Sequence, residues 1–141
     1  MKRSIPVLAF LVAPAATAQS TQVNPEIPKD PQGRSLIFFD WNKSNISGDA
    51  SAVLDRIAAE ADAVPSIRIE LVGQSDRSGS DASRRLISRR RSSAVKTYLV
   101  AHGVRPSAIS ISESKPTDLL VPTEAGVREA QNRFVAMRLL R

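Results

Sequence analysis

Residues 67–102 read IRIELVGQSDRSGSDASRRLISRRRSSAVKTYLVAH, which combines a strand pattern, a polar loop and a helix pattern in succession. Its first five residues alternate apolar and charged side chains, which predicts a strand with one solvent-facing side. Glycine and serine residues at 73–80 predict a loop. A helix is expected from about residue 82 to His102, where Gly103 provides a stop. This unit predicts a sheet with a helix packed against it.

Arg91 lies in the middle of the apolar stripe of this helix, which is formed at helical spacing by Ile87, Ala94, Val95 and Tyr98. A guanidinium on the core-facing side is costly unless an acceptor meets it. Arg91 should therefore have a partner, either an internal carboxylate or the carboxylate of a ligand. Asp76, in the preceding loop, is the natural companion. If the two charges were held apart, Asp76 would take an ammonium and Arg91 a carboxylate, which suits a zwitterion.

Strand and helix patterns also occur before and after residues 67–102. Short apolar runs predict strands, and Ser47 is a suitable N-cap for a helix with apolar residues at helical spacing. The expected elements are a strand at Ser35–Phe39, a helix at 48–63, a strand at Ala108–Ser112, a short helical turn opening at Thr123 and a last strand at Arg133–Leu139. A two-layer α+β sandwich of order βαβα-β-(short α)-β follows, with a mixed sheet and helices on one face. The domain is expected to span residues 35–141.

The first eighteen residues have the pattern of a cleaved secretory signal. Lys2 and Arg3 precede an apolar run from Ile5 to Ala13, and Ala16-Thr17-Ala18 has the small-x-small pattern of a cleavage site. The run is shorter than the roughly 20 residues of a membrane-spanning helix, and no later segment is long and apolar enough. The mature chain is therefore expected to be soluble in the periplasm, with residues 19–34 as a proline-rich flexible spacer.

The composition excludes several classes of function. The 141 residues include no cysteine, which excludes disulfides, thiolate metal sites and N-terminal lipidation. The net charge is +6, and an exported basic protein is expected to meet anionic envelope material rather than nucleic acid. The arginine run at 84–91 has no aromatic platform for stacking bases. Catalysis is not expected, because His102 is the only histidine, the serines lack a neighbouring base and the carboxylates form no catalytic pair.

Four motifs occur in order along residues 35–139. They are Phe39-Asp40-Trp41-Asn42-Lys43-Ser44, Gly73-Gln74-Ser75-Asp76 with Gly79, Ile87-Ser88-x-x-Arg91-Ser92-x-x-Val95, and Asn132-Arg133-Phe134-Val135. Together they resemble the OmpA-like C-terminal domain family, also described as peptidoglycan-associated-lipoprotein-like. The resemblance implies non-covalent binding of peptidoglycan through the meso-diaminopimelate of its stem peptide, without metal or cofactor. It also implies a periplasmic location in a Gram-negative cell, associated with the cell wall or outer membrane.

The resemblance assigns roles to individual residues. Asp76 matches the aspartate that receives the ammonium of diaminopimelate, and Arg91 matches the arginine that receives its carboxylate. Asn42 and Ser75 match polar residues that help to line the pocket. Arg133 matches an arginine at the start of the last strand.

This sequence departs from the family at four places. Gln74 replaces a histidine, and Ser75 replaces a threonine. Arg84 replaces an asparagine and adds positive charge beside the pocket. The segment after the third strand, Ile111-Ser112-Glu113, is about three residues shorter than in the family.

The alternative is an envelope domain of the same fold that no longer binds peptidoglycan. It would serve as a structural module or dock a partner protein of the outer membrane or envelope. This alternative predicts that Arg91 is locked to Asp76 and closed to solvent.

Overall fold

The computed structural model describes residues 26–115 and 118–141, and in these ranges it contains four strands and two α-helices. They are β1 (Ser35–Phe38), α1 (Gly48–Ala63), β2 (Arg68–Gln74), α2 (Asp81–Ala101), β3 (Ile109–Glu113) and β4 (Phe134–Leu140), with 3₁₀ turns at Pro106–Ala108 and Ala130–Asn132. The predicted α+β order is confirmed. The short helical turn predicted to open at Thr123 is instead the 3₁₀ turn directly before β4. In the described ranges neither helix is apolar and long enough to cross a membrane.

The strands form one mixed sheet in the order β1-β4-β2-β3. β4 runs antiparallel to both β1 and β2, whereas β2 and β3 are parallel. Phe134, the first residue of β4, is paired with Phe38 at the end of β1 and with Gln74 at the end of β2. The segments that follow β1 and β2 therefore meet the segment that precedes β4 at one end of these strands. We call this end of the sheet, formed by residues 39–45, 75–80 and 123–133, the loop edge.

Both helices pack on one face of the sheet and enclose the main core. Its most deeply buried side chains are Ile37, Leu54, Ile57, Ile69, Leu71, Val95, Leu99, Val135 and Met137. Burial of one such side chain contributes about 1.5–3 kcal/mol. The opposite face carries a smaller cluster of Leu36, Phe134 and Ala136, against which Leu120 packs. This two-sided burial fixes the register of β4, the strand that begins at the loop edge.

The start of each helix is fixed by a serine, as the N-cap prediction for α1 requires. The Ser47 hydroxyl accepts from the N–H of Ala50, and the Ser80 hydroxyl accepts from the N–H of Ser83. Gly73 allows β2 to approach α2 closely, since a Cβ there would overlap the carbonyl oxygen of Ser88 and the hydroxyl of Ser92. This approach brings the middle of α2 against the end of β2.

The described part of the predicted spacer is folded onto the domain. Residue 29 forms a bridge with Ser35, and the N–H of Leu36 donates to the Pro28 carbonyl oxygen. The Asp30 carboxylate accepts from the N–H groups of Gln32 and Arg34 and from the Arg34 side chain. Residues 28–34 thus form a turn against β1, because Asp30 satisfies the polar groups of this turn. The predicted signal at 1–18 and the start of the spacer lie outside the described residues.

Candidate functional site

Asp76 lies at the loop edge, two residues after β2, and is only 3% exposed. Its Oδ1 accepts from the N–H of Ser78 at 3.2 Å and from the Ser78 hydroxyl at 2.5 Å. Its Oδ2 accepts from the N–H of Glu129 at 3.3 Å and from Nη1 of Arg133 at 3.1 Å. A carboxylate has about four acceptor positions. The described chain therefore supplies a donor for each acceptor position of Asp76.

Arg91 points into the core, as its place in the apolar stripe predicts, and is 1% exposed. Its Nε donates to the Lys43 carbonyl oxygen at 2.9 Å, Nη2 to that of Asp40 at 3.0 Å, and Nη1 to that of Gln74 at 3.4 Å. The acceptors that meet Arg91 are thus main-chain carbonyls, where the sequence indicated a carboxylate. Three of its five N–H groups are used in this way, so two remain. These bonds also tie the loop after β1 to the end of β2.

Arg133 takes the place beside Asp76 that the sequence had suggested for Arg91. Its Nη1 donates to Asp76, and its Nε donates to the Phe39 carbonyl oxygen at 3.1 Å. Asp76 and Arg91 are therefore both buried but do not form an ion pair with each other. The cluster holds one carboxylate and two guanidinium groups, so its formal charge is +1.

The electrostatics of the cluster follow from its burial and its hydrogen bonds. Burial alone would raise the pKa of Asp76, but donors from Ser78, Arg133 and the backbone hold that pKa below its ordinary value of 3.8. Burial lowers the pKa of Arg91 to about 10, an effect that the charge of Arg133 increases and that of Asp76 opposes. Both groups are charged at neutral pH. The mutual repulsion of the two guanidinium groups favours the approach of a further anionic oxygen.

The loop after β1 and the segment at 123–129 contact each other, and both contact the loop that contains Asp76. The Trp41 indole N–H donates to the Ser78 hydroxyl, and the Arg128 guanidinium lies 3.7 Å from the centre of the Trp41 ring. Arg77 donates through Nη1 to the Thr123 carbonyl oxygen at 2.9 Å. The segment at 123–129 is therefore held to the loop after β1 and to the loop after β2, and its Glu129 N–H reaches Asp76.

The remaining predicted site residues are distributed over two places. Asn42 is exposed, with φ +54°, in a turn closed by the Lys43 N–H and the Asp40 carbonyl oxygen. Asparagine tolerates this left-handed conformation better than most residues. Ser75 and Arg84 line a separate cavity beside α2, which is not lined by Asp76 or Arg91. The structure thus groups Asp76, Arg91 and Arg133 together, close to the turn of Asn42.

Sequence reasoning missed several residues that shape the site. Ser78 had a local signal, since an aspartate followed two residues later by a serine is typical of an Asx-turn. The N–H of Glu129 and the stacked pair of Trp41 and Arg128 had none, because they depend on pairing between distant segments. In the described ranges no group of three histidine, aspartate or glutamate side chains is arranged to hold a metal ion.

A model of the OmpA family matches residues 38–133, which include the complete loop edge. The chain belongs to the OmpA family. The match contains Asp76, Arg91 and Arg133, so the charged cluster is part of the OmpA-family domain itself.

Two relatives of this OmpA-family domain indicate where such domains occur. Outer membrane protein A of Bordetella avium is 30% identical over 103 residues, 73% of this chain and 53% of that protein. The peptidoglycan-associated lipoprotein of Pasteurella multocida is 34% identical over 91 residues, 62% of this chain and 61% of that protein. The chain thus spans about half to three-fifths of the length of these relatives. Their names are those of envelope proteins of Gram-negative bacteria, and this confirms the predicted localisation.

The fold of the OmpA-family domain is also shared with a solved structure. The crystal structure of the peptidoglycan-associated lipoprotein from Burkholderia pseudomallei superposes with a TM-score of 0.68 at 19% identity. The superposition covers 74% of this chain and 89% of that chain. At this identity the likeness concerns the fold.

Proposed function

We propose that this domain binds peptidoglycan non-covalently, through the meso-diaminopimelate of the stem peptide, and does not cleave it. The observation that carries the proposal is the buried guanidinium of Arg91, which has no carboxylate partner although a buried aspartate lies in the same cluster. A cluster with a formal charge of +1 favours a ligand that brings a carboxylate. The carboxylate would accept from the two remaining N–H groups of Arg91, and the ammonium of the same ligand would approach Asp76.

Binding at Asp76 requires an exchange of donors, because its acceptor positions are filled. Arg133 is the donor most easily displaced, since its side chain is 15% exposed and has a second acceptor in the Phe39 carbonyl oxygen. If the ligand ammonium replaces Nη1 of Arg133, Asp76 remains fully hydrogen-bonded. The released Arg133 guanidinium can then turn towards the ligand carboxylate. The exchange therefore leaves no buried charge without a partner, which would be costly.

The other predicted residues have supporting roles in this proposal. Asn42 is exposed in the turn whose carbonyl oxygens hold Arg91, so its amide can bind the main chain of the stem peptide. Ser75 and Arg84 contribute from the neighbouring cavity, where Arg84 adds a positive charge.

Sedimentation with purified sacculi tests the proposal. Asp76→Asn and Arg91→Lys should each weaken binding by about tenfold or more, because a charge-assisted hydrogen bond contributes about 1.5–3 kcal/mol. Asp30→Asn is the matched control, since Asp30 is also a buried aspartate paired with an arginine but lies outside the loop edge. Equal binding of wild type and Asp76→Asn, or equal loss in Asp30→Asn, would contradict the proposal.

Competition tests the specificity for diaminopimelate. A stem peptide that contains meso-diaminopimelate should release the protein from sacculi, whereas the same peptide with lysine at that position should not, because the lysine side chain carries an ammonium without a neighbouring carboxylate. Equal competition by the two peptides would mean that the cluster does not distinguish diaminopimelate from lysine. Release of dye from labelled sacculi during the same incubation would contradict binding without cleavage.

The complete set of donors around Asp76 favours a second candidate, a structural or partner-docking module of the envelope. In that case Arg91 serves only to hold the loop after β1 against β2. The sedimentation experiment separates the two candidates, since a module of this kind would not sediment with sacculi.

A further inference from the structure

A cavity of about 350 Å³ lies beside the first half of α2, at the end of the sheet formed by β2 and β3. Most of the residues that line it are polar, among them Arg84, Arg85, Ser88, Arg89 and Ser92 from α2, and Gln74 from the end of β2. Gln74 and Ser92 are buried, whereas Arg85 and Arg89 reach the solvent. The cavity therefore has a buried polar floor and a cationic rim.

The residues that line the cavity have a positive net charge. Arg77, Arg84, Arg85 and Arg89 face only two carboxylates, those of Asp81 and Glu113. Arg84 is paired with Asp81, and Arg77 donates to the Thr123 carbonyl oxygen. Within residues 26–115 and 118–141, no acceptor lies within hydrogen-bonding distance of the Arg85 or Arg89 side chain. Because like charges four residues apart on a helix repel each other, a bound anion would relieve this repulsion.

Gln74 provides a second, independent indication of a ligand. It is 5% exposed, and its Oε1 accepts from the Ser114 hydroxyl at 2.7 Å. Its Nε2 is buried without any acceptor in the described part of the chain. Buried polar groups in folded proteins nearly always have a partner. The floor of the cavity therefore offers an N–H donor for which the described chain supplies no acceptor.

We propose that this cavity binds a second carboxylate of the same peptidoglycan stem peptide, that of the residue next to diaminopimelate. The inference rests on the proposed function. Ser75 lines the cavity and directly precedes Asp76, and Gln74, on the floor of the cavity, accepts from Nη1 of Arg91 through its carbonyl oxygen. The cavity therefore adjoins the cluster of Asp76 and Arg91, and a stem peptide held there can place the residue next to diaminopimelate at the cavity. In the stem peptide this residue is a γ-linked glutamate, whose α-carboxylate is free to meet Arg85 and Arg89.

Two synthetic peptides test the inference by calorimetric titration of the full chain. The first is L-alanyl-γ-D-glutamyl-meso-diaminopimelate, and the second is the same peptide with the glutamate α-carboxylate amidated. Wild type should bind the first about tenfold more tightly, as expected for a charge-assisted hydrogen bond. The double substitution Arg85→Gln and Arg89→Gln should abolish this preference, because the first peptide then binds no more tightly than the amidated one.

The control is the double substitution Arg90→Gln and Arg138→Gln, which removes the same charge from exposed positions that do not line the cavity. It should keep the preference for the first peptide. Equal affinity of wild type for both peptides would overturn the inference and leave the proposed function intact. An equal loss of preference in the control would also overturn it, because a general positive field would then explain the effect. Failure of wild type to bind either peptide would overturn the proposed function itself.

Discussion

Asp30 and Asp76 are both buried aspartates paired with an arginine, yet their surroundings differ. The Asp30–Arg34 pair measures 2.5 Å, with side chains 0% and 16% exposed, and the Asp76–Arg133 pair measures 3.1 Å, with side chains 5% and 15% exposed. Both carboxylates also accept from two backbone N–H groups. Among the residues that the structure describes, a second buried guanidinium, that of Arg91, lies close enough to interact with both members of the pair only at Asp76. A buried aspartate–arginine pair therefore completes a turn at Asp30, whereas the similar pair at Asp76 belongs to a cluster with an excess positive charge.

Substitution of Arg91 should have the largest effect on stability. Arg91→Met removes the donors of three main-chain carbonyls at the junction of the loop edge and α2. We expect the free energy of unfolding to fall by about 2–4 kcal/mol. Arg90→Met, on the exposed side of the same helix, should change it by less than about 0.5 kcal/mol. Urea titration followed by circular dichroism measures both, and a loss in Arg91→Met as small as in the control would mean that water replaces the guanidinium.

Substitution of Asp76 should reduce the free energy of unfolding more than substitution of Asp30. Asp76→Asn leaves two guanidinium groups facing each other without a carboxylate, whereas Asp30→Asn leaves one partly exposed guanidinium. We expect losses of about 2–3 kcal/mol for Asp76→Asn and about 1 kcal/mol for Asp30→Asn. The same urea titrations give the difference. If the two losses were equal, the second guanidinium would add nothing to the energetics of the Asp76 cluster.

The sequence predicted much of the fold because its signals are local. The helix at 48–63, its cap at Ser47 and the core-facing position of Arg91 all follow from periodicity within single segments. The turn around Asp30 was also encoded locally, by an aspartate and an arginine four residues apart, but the surrounding prolines indicated a spacer. Prolines exclude a helix there without excluding a folded turn.

Patterns within single segments could not predict which residues pair with Asp76 and Arg91. The ion pair of Asp76 joins residues 57 positions apart in the sequence, and its formation depends on how β2 and β4 pair. Arg91 was correctly expected to need acceptors, but main-chain carbonyls carry no signature in a sequence. A side chain's direction could therefore be predicted, whereas the identity of its distant partner could not.

Lowering the pH should reduce the contribution of Asp76 to the free energy of unfolding. Because the pKa of Asp76 is below 3.8 in the folded state, its ionised form stabilises the fold fully above the unfolded pKa. This contribution is lost as the pH falls through the folded pKa. The difference in unfolding free energy between wild type and Asp76→Asn should therefore shrink as the pH is lowered below about 4. Urea titrations at several pH values measure it, and a constant difference would contradict the lowered pKa.

Of the substitutions in the Asp76 cluster, Ser78→Ala should have the smallest effect on stability, and it also tests binding. It removes the hydroxyl that donates to Oδ1 of Asp76 and accepts from Trp41, at an expected cost of about 0.5–1.5 kcal/mol. Since one acceptor position of Asp76 then becomes open to a ligand ammonium, sedimentation with sacculi should increase. Ser110→Ala, at an exposed position on β3, is the control and should leave binding unchanged. Weaker binding in Ser78→Ala would show instead that the loop must be held closed by Ser78, because the gain of an open acceptor would then be outweighed by the loss of order around Asp76.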